Sequence, residues 1–232
     1  MAPRQAPAKD KLIGAAVKVV REKGFNATSV DDLCREAGVT KGAFFHHFPT
    51  KVDLGIAAAE AWKLHANELF GGAPFMAAED PLDRILGYLE FRRDMLDGPI
   101  GEFTCLVGTM VQESYDTLPA LREACQDSIW GHALTLVDDI EAARVRHGVT
   151  GDWTAESLAL HTQGVLQGAF ILAKAADDPR AARDTADHLI RSEGRRKIPH
   201  VLHQFHHRQR SQLWRRIYRP AARSACAVQI HL

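Results

Sequence analysis

At 232 residues the chain has room for one or two domains with real cores, and its 46% hydrophobic and 7% aromatic content is that of an ordinary soluble globular protein. No apolar run approaches the ~18 residues that cross a bilayer, and Met1–Pro7 lacks the apolar core of a secretory signal. The four cysteines (Cys34, Cys105, Cys125, Cys226) form no CxxC pair, which argues against a zinc ribbon or dithiol redox motif and for a reduced, cytoplasmic setting.

The net charge of zero conceals a partition. Residues 1–51 hold nine Lys/Arg against five Asp/Glu, residues 52–193 hold eleven against twenty-four, and residues 194–232 hold nine against none. A basic head on an acidic body suits a protein that offers one end to phosphates.

Strand signals are nearly absent, and the chain reads as about nine consecutive amphipathic helices, with no internal repeat. Residues 1–8 read as a flexible arm. The first helix is predicted from about Lys9 to Lys23, with Leu12, Ile13, Ala16, Val17, Val19 and Val20 facing inward and Gly24 ending it. Ser29-Val30-Asp31-Asp32 is a capping box with Asp in the fourth place. It opens a short helix whose apolar residues Val30, Leu33, Cys34 and Ala37 share a face. Gly38 ends that helix, since glycine reaches the left-handed conformation at low cost. Thr40 caps the next, a short aromatic helix to about His47, and Pro49 stops it. Thr50-Lys51-Val52-Asp53 opens another with the same box, running through Trp62 to about Phe70. The two short helices form a helix-turn-helix, and the second is the one that would enter a DNA major groove.

Gly71-Gly72-Ala73-Pro74 breaks the pattern. Further helices are predicted at about Pro81–Leu96, Glu102–Glu113, Leu118–His147 (with a kink at Gly131), Thr154–Ala176 and Pro179–Arg191.

Over roughly residues 8–55 the chain resembles the TetR family of bacterial transcriptional repressors. The resemblance rests on Gly24-Phe25, Thr28-Ser29-Val30, the Ala37-Gly38-Val39-Thr40-Lys41-Gly42-Ala43 core, His46-His47-Phe48 and Lys51. It implies an all-α fold: a three-helix DNA-binding head with a helix-turn-helix, plus a larger helical ligand-binding and dimerisation domain. It also implies a homodimer joined by a four-helix bundle and released from a palindromic operator by a small-molecule effector. The division expected is head 9–54, body 55–193 and an atypical tail 194–232. One departure is Phe45, where the family usually carries Tyr; the lost hydroxyl removes a phosphate hydrogen bond.

Within that framework the expected DNA contacts are Ser29, Thr40, Lys41, Gly42, Ala43, Phe44, Phe45, His46 and Lys51. Lys41 and Lys51 sit near helix N-termini, where backbone N–H groups also attract phosphate. Gly42 and Ala43 are small enough for close approach to base edges, and Ala43 suits a thymine methyl. Phe44 meets thymine methyls or the sugar–phosphate edge, or else faces the core; Phe48 is core. His46 is the better phosphate donor of the histidine pair.

Pocket candidates are Phe91, Met95, Cys105, Met110, Tyr115, Trp130, Gln163, Gln167 and Phe170, each with plain core as its alternative. Few charges fall among them, so a mostly apolar effector is expected. Gly164 and Gly168, four apart, with Leu172 and Leu189 are assigned to the dimer interface. No cofactor, metal or membrane partner is expected. The chain shows no nucleophile–base signature or phosphate loop, which argues against an enzyme. The alternatives are a redox-responsive regulator acting through Cys105, and an interaction module that does not bind DNA. The basic tail reads as a poorly packed extension, with an appended nucleic-acid arm or a His203/His207 metal site as its alternatives.

Overall fold

The computed structural model describes residues 7–195, with side chains described as far as Ser192. The readings of the tail beyond that point, and of most of the N-terminal arm, fall outside the described residues. Among those residues there are eleven α-helices, one short 3-10 turn and no strand. In chain order they are α1 (Ala8–Lys23), α2 (Val30–Ala37), α3 (Lys41–His47), α4 (Lys51–Gly71), the 3-10 turn Pro74–Ala77, α5 (Pro81–Asp94), α6 (Ile100–Phe103), α7 (Leu106–Ser114), α8 (Pro119–Leu134), α9 (Val137–Arg146), α10 (Ala155–Ala176) and α11 (Arg180–Arg195).

The head forms where its local signals place it. Ser29 Oγ accepts from the Asp32 N–H at 3.1 Å, and the Asp32 carboxylate accepts from the Ser29 N–H at 2.9 Å, closing the capping box of α2. Gly38 ends α2 in the left-handed conformation at φ 63°. Thr40 Oγ1 accepts from the Ala43 N–H at 3.1 Å and caps α3. The Thr50–Asp53 pair repeats the reciprocal box at α4, with bonds of 3.2 and 2.9 Å.

Two predicted helices are each two. Glu102–Glu113 is broken at Thr104–Cys105 into α6 and α7, where Cys105 Sγ accepts from the Gly108 N–H at 3.4 Å and so acts as the cap of α7. Leu118–His147 breaks at Thr135–Leu136 into α8 and α9, not at Gly131. Gly131 serves close approach instead: a Cβ there would lie 3.3 Å from the Lys63 side chain of α4.

Two apolar cores organise the chain. The first joins Leu12, Val20, Phe25, Leu33, Phe44, Phe48 and Leu54 of the head to Leu106, Val107, Met110, Leu121 and Cys125 of α7 and α8. A single buried cluster therefore runs from the head into the body. The second joins Tyr88, Leu89, Ile140, Leu166, Ala173, Ala182, Ala186 and Leu189 across α5, α9, α10 and α11. Arg84 locks α5 onto α9 through Asp139, its Nε donating at 2.8 Å.

Candidate nucleic-acid interface and internal cavity

The α2–turn–α3 unit presents a narrow rim. Ser29, Thr40, Lys41, Gly42, Phe45 and His46 are exposed, and Ala43 is half-buried. Lys41 pairs with Asp31 at 2.8 Å, with both side chains largely solvated. A surface pair of this kind contributes little and yields readily to a phosphate. The His46 and His47 rings meet edge to face at 4.9 Å.

Phe44 corrects the sequence reading. It is 0% exposed and lies in the head core, edge-on to Phe45 at 5.1 Å and 6.2 Å from Phe48. Four residues separate Phe44 from Phe48, about one helical turn, so the two share the inward face. Phe45, one position on, turns outward and is 54% exposed.

Lys51 also has a structural role inside the head. Its ammonium donates to the carbonyls of Phe25 and Thr28, each at 2.9 Å, and stands 4.4 Å from the Phe25 ring centre. Burial lowers its pKa. Two of its three donors are thus committed to holding the α1–α2 turn against the start of α4, leaving one for a phosphate.

Polar ties also fasten the head to the body. The Asn26 backbone N–H donates to the Glu113 carboxylate at 2.7 Å, and Asn26 Nδ2 to the Glu113 carbonyl at 3.3 Å. Gly24, at φ 91°, lies against the same carboxylate; a Cβ there would stand 2.3 Å from its oxygen. Arg21, near the end of α1, donates to the Val17 carbonyl at 2.9 Å and across to the Glu102 carbonyl at 2.6 Å, and stacks over Trp62.

Behind the head lies a cavity of about 460 Å³, walled by residues of α1, α4, α5, α6, α7, α8 and α10. Of the predicted pocket residues, Met95, Cys105, Gln163, Gln167 and Phe170 line it. Four do not. Met110 is buried in the core shared with the head, Phe91 packs against Phe70 and Phe75, and Tyr115 (64% exposed) and Trp130 (44%) face outward. Their helical positions are right for an apolar side chain, but the face each presents is set by tertiary packing. Gly108 makes room at one wall: a Cβ there would lie 2.3 Å from the Gln167 amide oxygen.

The walls are mainly apolar, yet the expectation of few charges is corrected, because Arg21 and Arg92 both line the cavity. The Arg92 guanidinium lies 5.4 to 5.9 Å from the ring centres of Phe70, Tyr88 and Phe170. Beside it runs a buried polar chain. Gln163 Nε2 donates to the Tyr88 hydroxyl at 2.8 Å, and that hydroxyl lies 3.0 Å from His132 Nε2. Arg92 Nη1 approaches the same nitrogen at 3.4 Å. Burial first, and then the neighbouring Arg92 charge, push the His132 pKa down to about 3, so the imidazole is neutral. Burial likewise lowers the Arg21 pKa. None of Arg21, Trp62, Phe70, Arg92 and His132 was singled out for the pocket from sequence; nothing in their local pattern marks a helix face as hollow.

On α10, Gly164, Gly168, Ile171 and Leu172 fall at helical spacing. Ile171 and Leu172 are exposed, and a Cβ at either glycine would meet nothing within 4 Å. Leu189 does not join that strip. It is buried in the second core of its own chain, a correction to its assignment at the interface. Among the described residues no group of three metal-ligating side chains is clustered, and no helix is long and apolar enough to cross a membrane.

The family profile described as "Bacterial regulatory proteins, tetR family" matches residues 12–58, and that described as "Tetracyclin repressor-like, C-terminal domain" matches residues 81–189. The chain is 32% identical over 115 residues to the transcriptional regulator AcuR of Cereibacter sphaeroides, covering 48% of this chain and 52% of that one. It is 31% identical over 156 residues to the HTH-type transcriptional regulator CymR of Pseudomonas putida, covering 65% of this chain and 72% of the relative. The crystal structure of a regulatory protein TetR from Rhodobacter sphaeroides superposes with a TM-score of 0.71 at 26% identity, over 82% of this chain and 99% of that one. A capped three-helix head with an outward α3 rim, two matching profiles spanning head and body, and these relatives agree: the chain belongs to the TetR family of bacterial transcriptional regulators.

Proposed function

We propose that the chain acts in the cytoplasm as a homodimeric repressor that occludes a palindromic operator and leaves it when a small molecule fills the cavity. Its activity is binding rather than turnover. The observation that carries this is the split of α3: Phe44 and Phe48 anchor it from within, while Thr40, Lys41, Gly42, Phe45 and His46 form an uncovered rim. Ser29, Thr40, Lys41 and His46 contact phosphates, with the α3 N-terminus adding its backbone N–H groups. Gly42, Ala43 and Phe45 approach the base edges. Lys51 contributes its one remaining donor. The working division is the head over 9–54 and the effector-binding and dimerising body over 55–193.

The second copy packs on the α10 strip of Gly164, Gly168, Ile171 and Leu172, where glycines let two backbones come close. A two-fold dimer sets its two reading helices about one helical turn or a multiple of it apart, which requires a palindromic site.

The test is selection of bound fragments from the source genome, followed by anisotropy titration of the selected duplex over a range of salt. Log affinity falls linearly with log salt, and each phosphate-binding side chain removed reduces the slope by about 0.9. Lys41→Ala with His46→Ala weakens binding across sequences and flattens that slope while the fold persists. A selected site without two-fold symmetry, or an unchanged slope, overturns the reading.

A further inference from the structure

The two arginines of the cavity differ from eight others among the described residues. Arg35, Arg84, Arg93, Arg122, Arg144, Arg146, Arg180 and Arg183 each hold a carboxylate oxygen within 3.8 Å. Among the described residues, Arg21, Arg92 and Arg191 have no such ion-pair partner, and of these Arg21 and Arg92 line the cavity. Arg21 is occupied otherwise, by the carbonyls of Val17 and Glu102, and the Glu102 carboxylate stands on its side of the cavity. Arg92 has aromatic faces, one imidazole nitrogen and the Tyr88 hydroxyl, and no carboxylate.

That nitrogen fixes a second feature. A guanidinium only donates, and the Tyr88 hydroxyl, receiving the Gln163 N–H, has its own proton to give. Both therefore point donors at His132 Nε2, which must accept. The imidazole proton is then on Nδ1, and Nδ1 is a buried atom with no hydrogen-bond partner. The cavity wall thus carries in Arg92 a positive charge with no carboxylate partner, which calls for an acceptor bearing negative charge, while the His132 Nδ1–H is enclosed and does not front the cavity. The remaining wall is apolar and aromatic, and about 460 Å³ is the size of a small organic molecule.

We propose that the effector is a small organic carboxylate, bound with its anionic end at Arg92 and its apolar body against Phe70, Phe170 and Trp62. The proposal rests on the reading of this cavity as the effector site. A cation would be repelled by Arg92, and a purely apolar ligand would leave Arg92 unmet.

The test uses the full chain and paired sets of carboxylic acids and their primary amides, from hexanoate and hexanamide to 2-naphthoate and 2-naphthamide. Binding is read by thermal shift and calorimetry at neutral pH and up to millimolar ligand. Release of the selected operator is measured with the same compounds. Acids bind saturably, one per chain, and each amide is weaker by about tenfold or more, the loss carried by a hydrogen bond to a charged group. Arg92→Gln levels the acid and its amide, and Arg92→Lys retains part of the difference. Amides that match their acids in the wild-type chain, no saturable binding of any acid, or an acid preference that survives Arg92→Gln each overturn the proposal. Acid binding that leaves the operator occupied supports the ligand class and refutes the effector role. Operator release by neutral compounds, with no acid binding, does the reverse.

Discussion

Phe44 and Phe45 are neighbours with opposite surroundings, and truncating each to alanine separates structure from recognition. Phe44 is 0% exposed within the core that joins α1, α2 and α4 to α7 and α8. Removing a fully buried phenyl ring costs about 3–5 kcal/mol, the lost transfer energy plus the cavity left behind. Set against a typical domain stability of about 5–15 kcal/mol, that is a large fraction of the whole. Phe45 is 54% exposed, and its main packing partner is the edge of Phe44 at 5.1 Å. Losing one aromatic pair contact costs about 0.5–1.5 kcal/mol. Urea unfolding followed by far-ultraviolet circular dichroism measures both losses, and operator anisotropy measures affinity on protein that remains folded. Phe44→Ala shifts the urea midpoint strongly; Phe45→Ala shifts it little and weakens operator binding. A Phe44→Ala chain with near wild-type stability and a selective loss of operator affinity would show that this ring faces the groove, and the account of α3 would fall.

Three other outcomes are expected. His132 titrates near 3 when folded against its ordinary 6.5, so the unfolded chain takes up a proton the folded chain resists. Stability therefore falls as pH drops below about 6.5, continuing toward 3, and His132→Phe removes that part of the acid slope; urea midpoints taken from neutral to acid pH that fall equally in both proteins would contradict it. Lys51→Met, which keeps the aliphatic stem and deletes the two bonds to Phe25 and Thr28, lowers stability by about 1–3 kcal/mol, read as a shift in the same unfolding curve. Leu172→Glu places a charge at a position that is 53% exposed in the single chain. Sedimentation then shows a shift to monomer, and the urea midpoint falls with it and loses its dependence on protein concentration; a persisting dimer would place the interface elsewhere.

What could be read from the sequence was what short-range chemistry determines. The capping boxes at Ser29 and Thr50, the glycine stop at Gly38 and the Thr40 cap each act over three or four residues and stand in the structure as expected. Phe44 was misread because the face of a seven-residue helix is decided by what packs against it, and periodicity over so short a span leaves the inward side open. The structural role of Lys51 was invisible because its partners, the carbonyls of Phe25 and Thr28, lie more than twenty residues away and leave no mark in side-chain type. The α6–α7 break follows from a cysteine acting as a cap, a role that residue type does not advertise. The cavity was half-visible: Gln163, Gln167 and Phe170 follow one face of α10, but the charge within it comes from α1 and α5, remote in sequence and brought together by the fold.

The apolar cluster that unites Leu12, Phe25 and Leu54 with Leu106, Met110 and Leu121 constrains the proposed release of the operator. Phe44 and Phe48 share that cluster with residues of α7 and α8, so under the proposed mechanism a guest between α4, α8 and α10 would move the reading helix by making packed apolar surfaces slip past one another. Such shear displaces packed helices by an ångström or two rather than swinging them. The lever is length instead: α4, twenty-one residues from Lys51 to Gly71, has the cavity against its far half and the head at its near end.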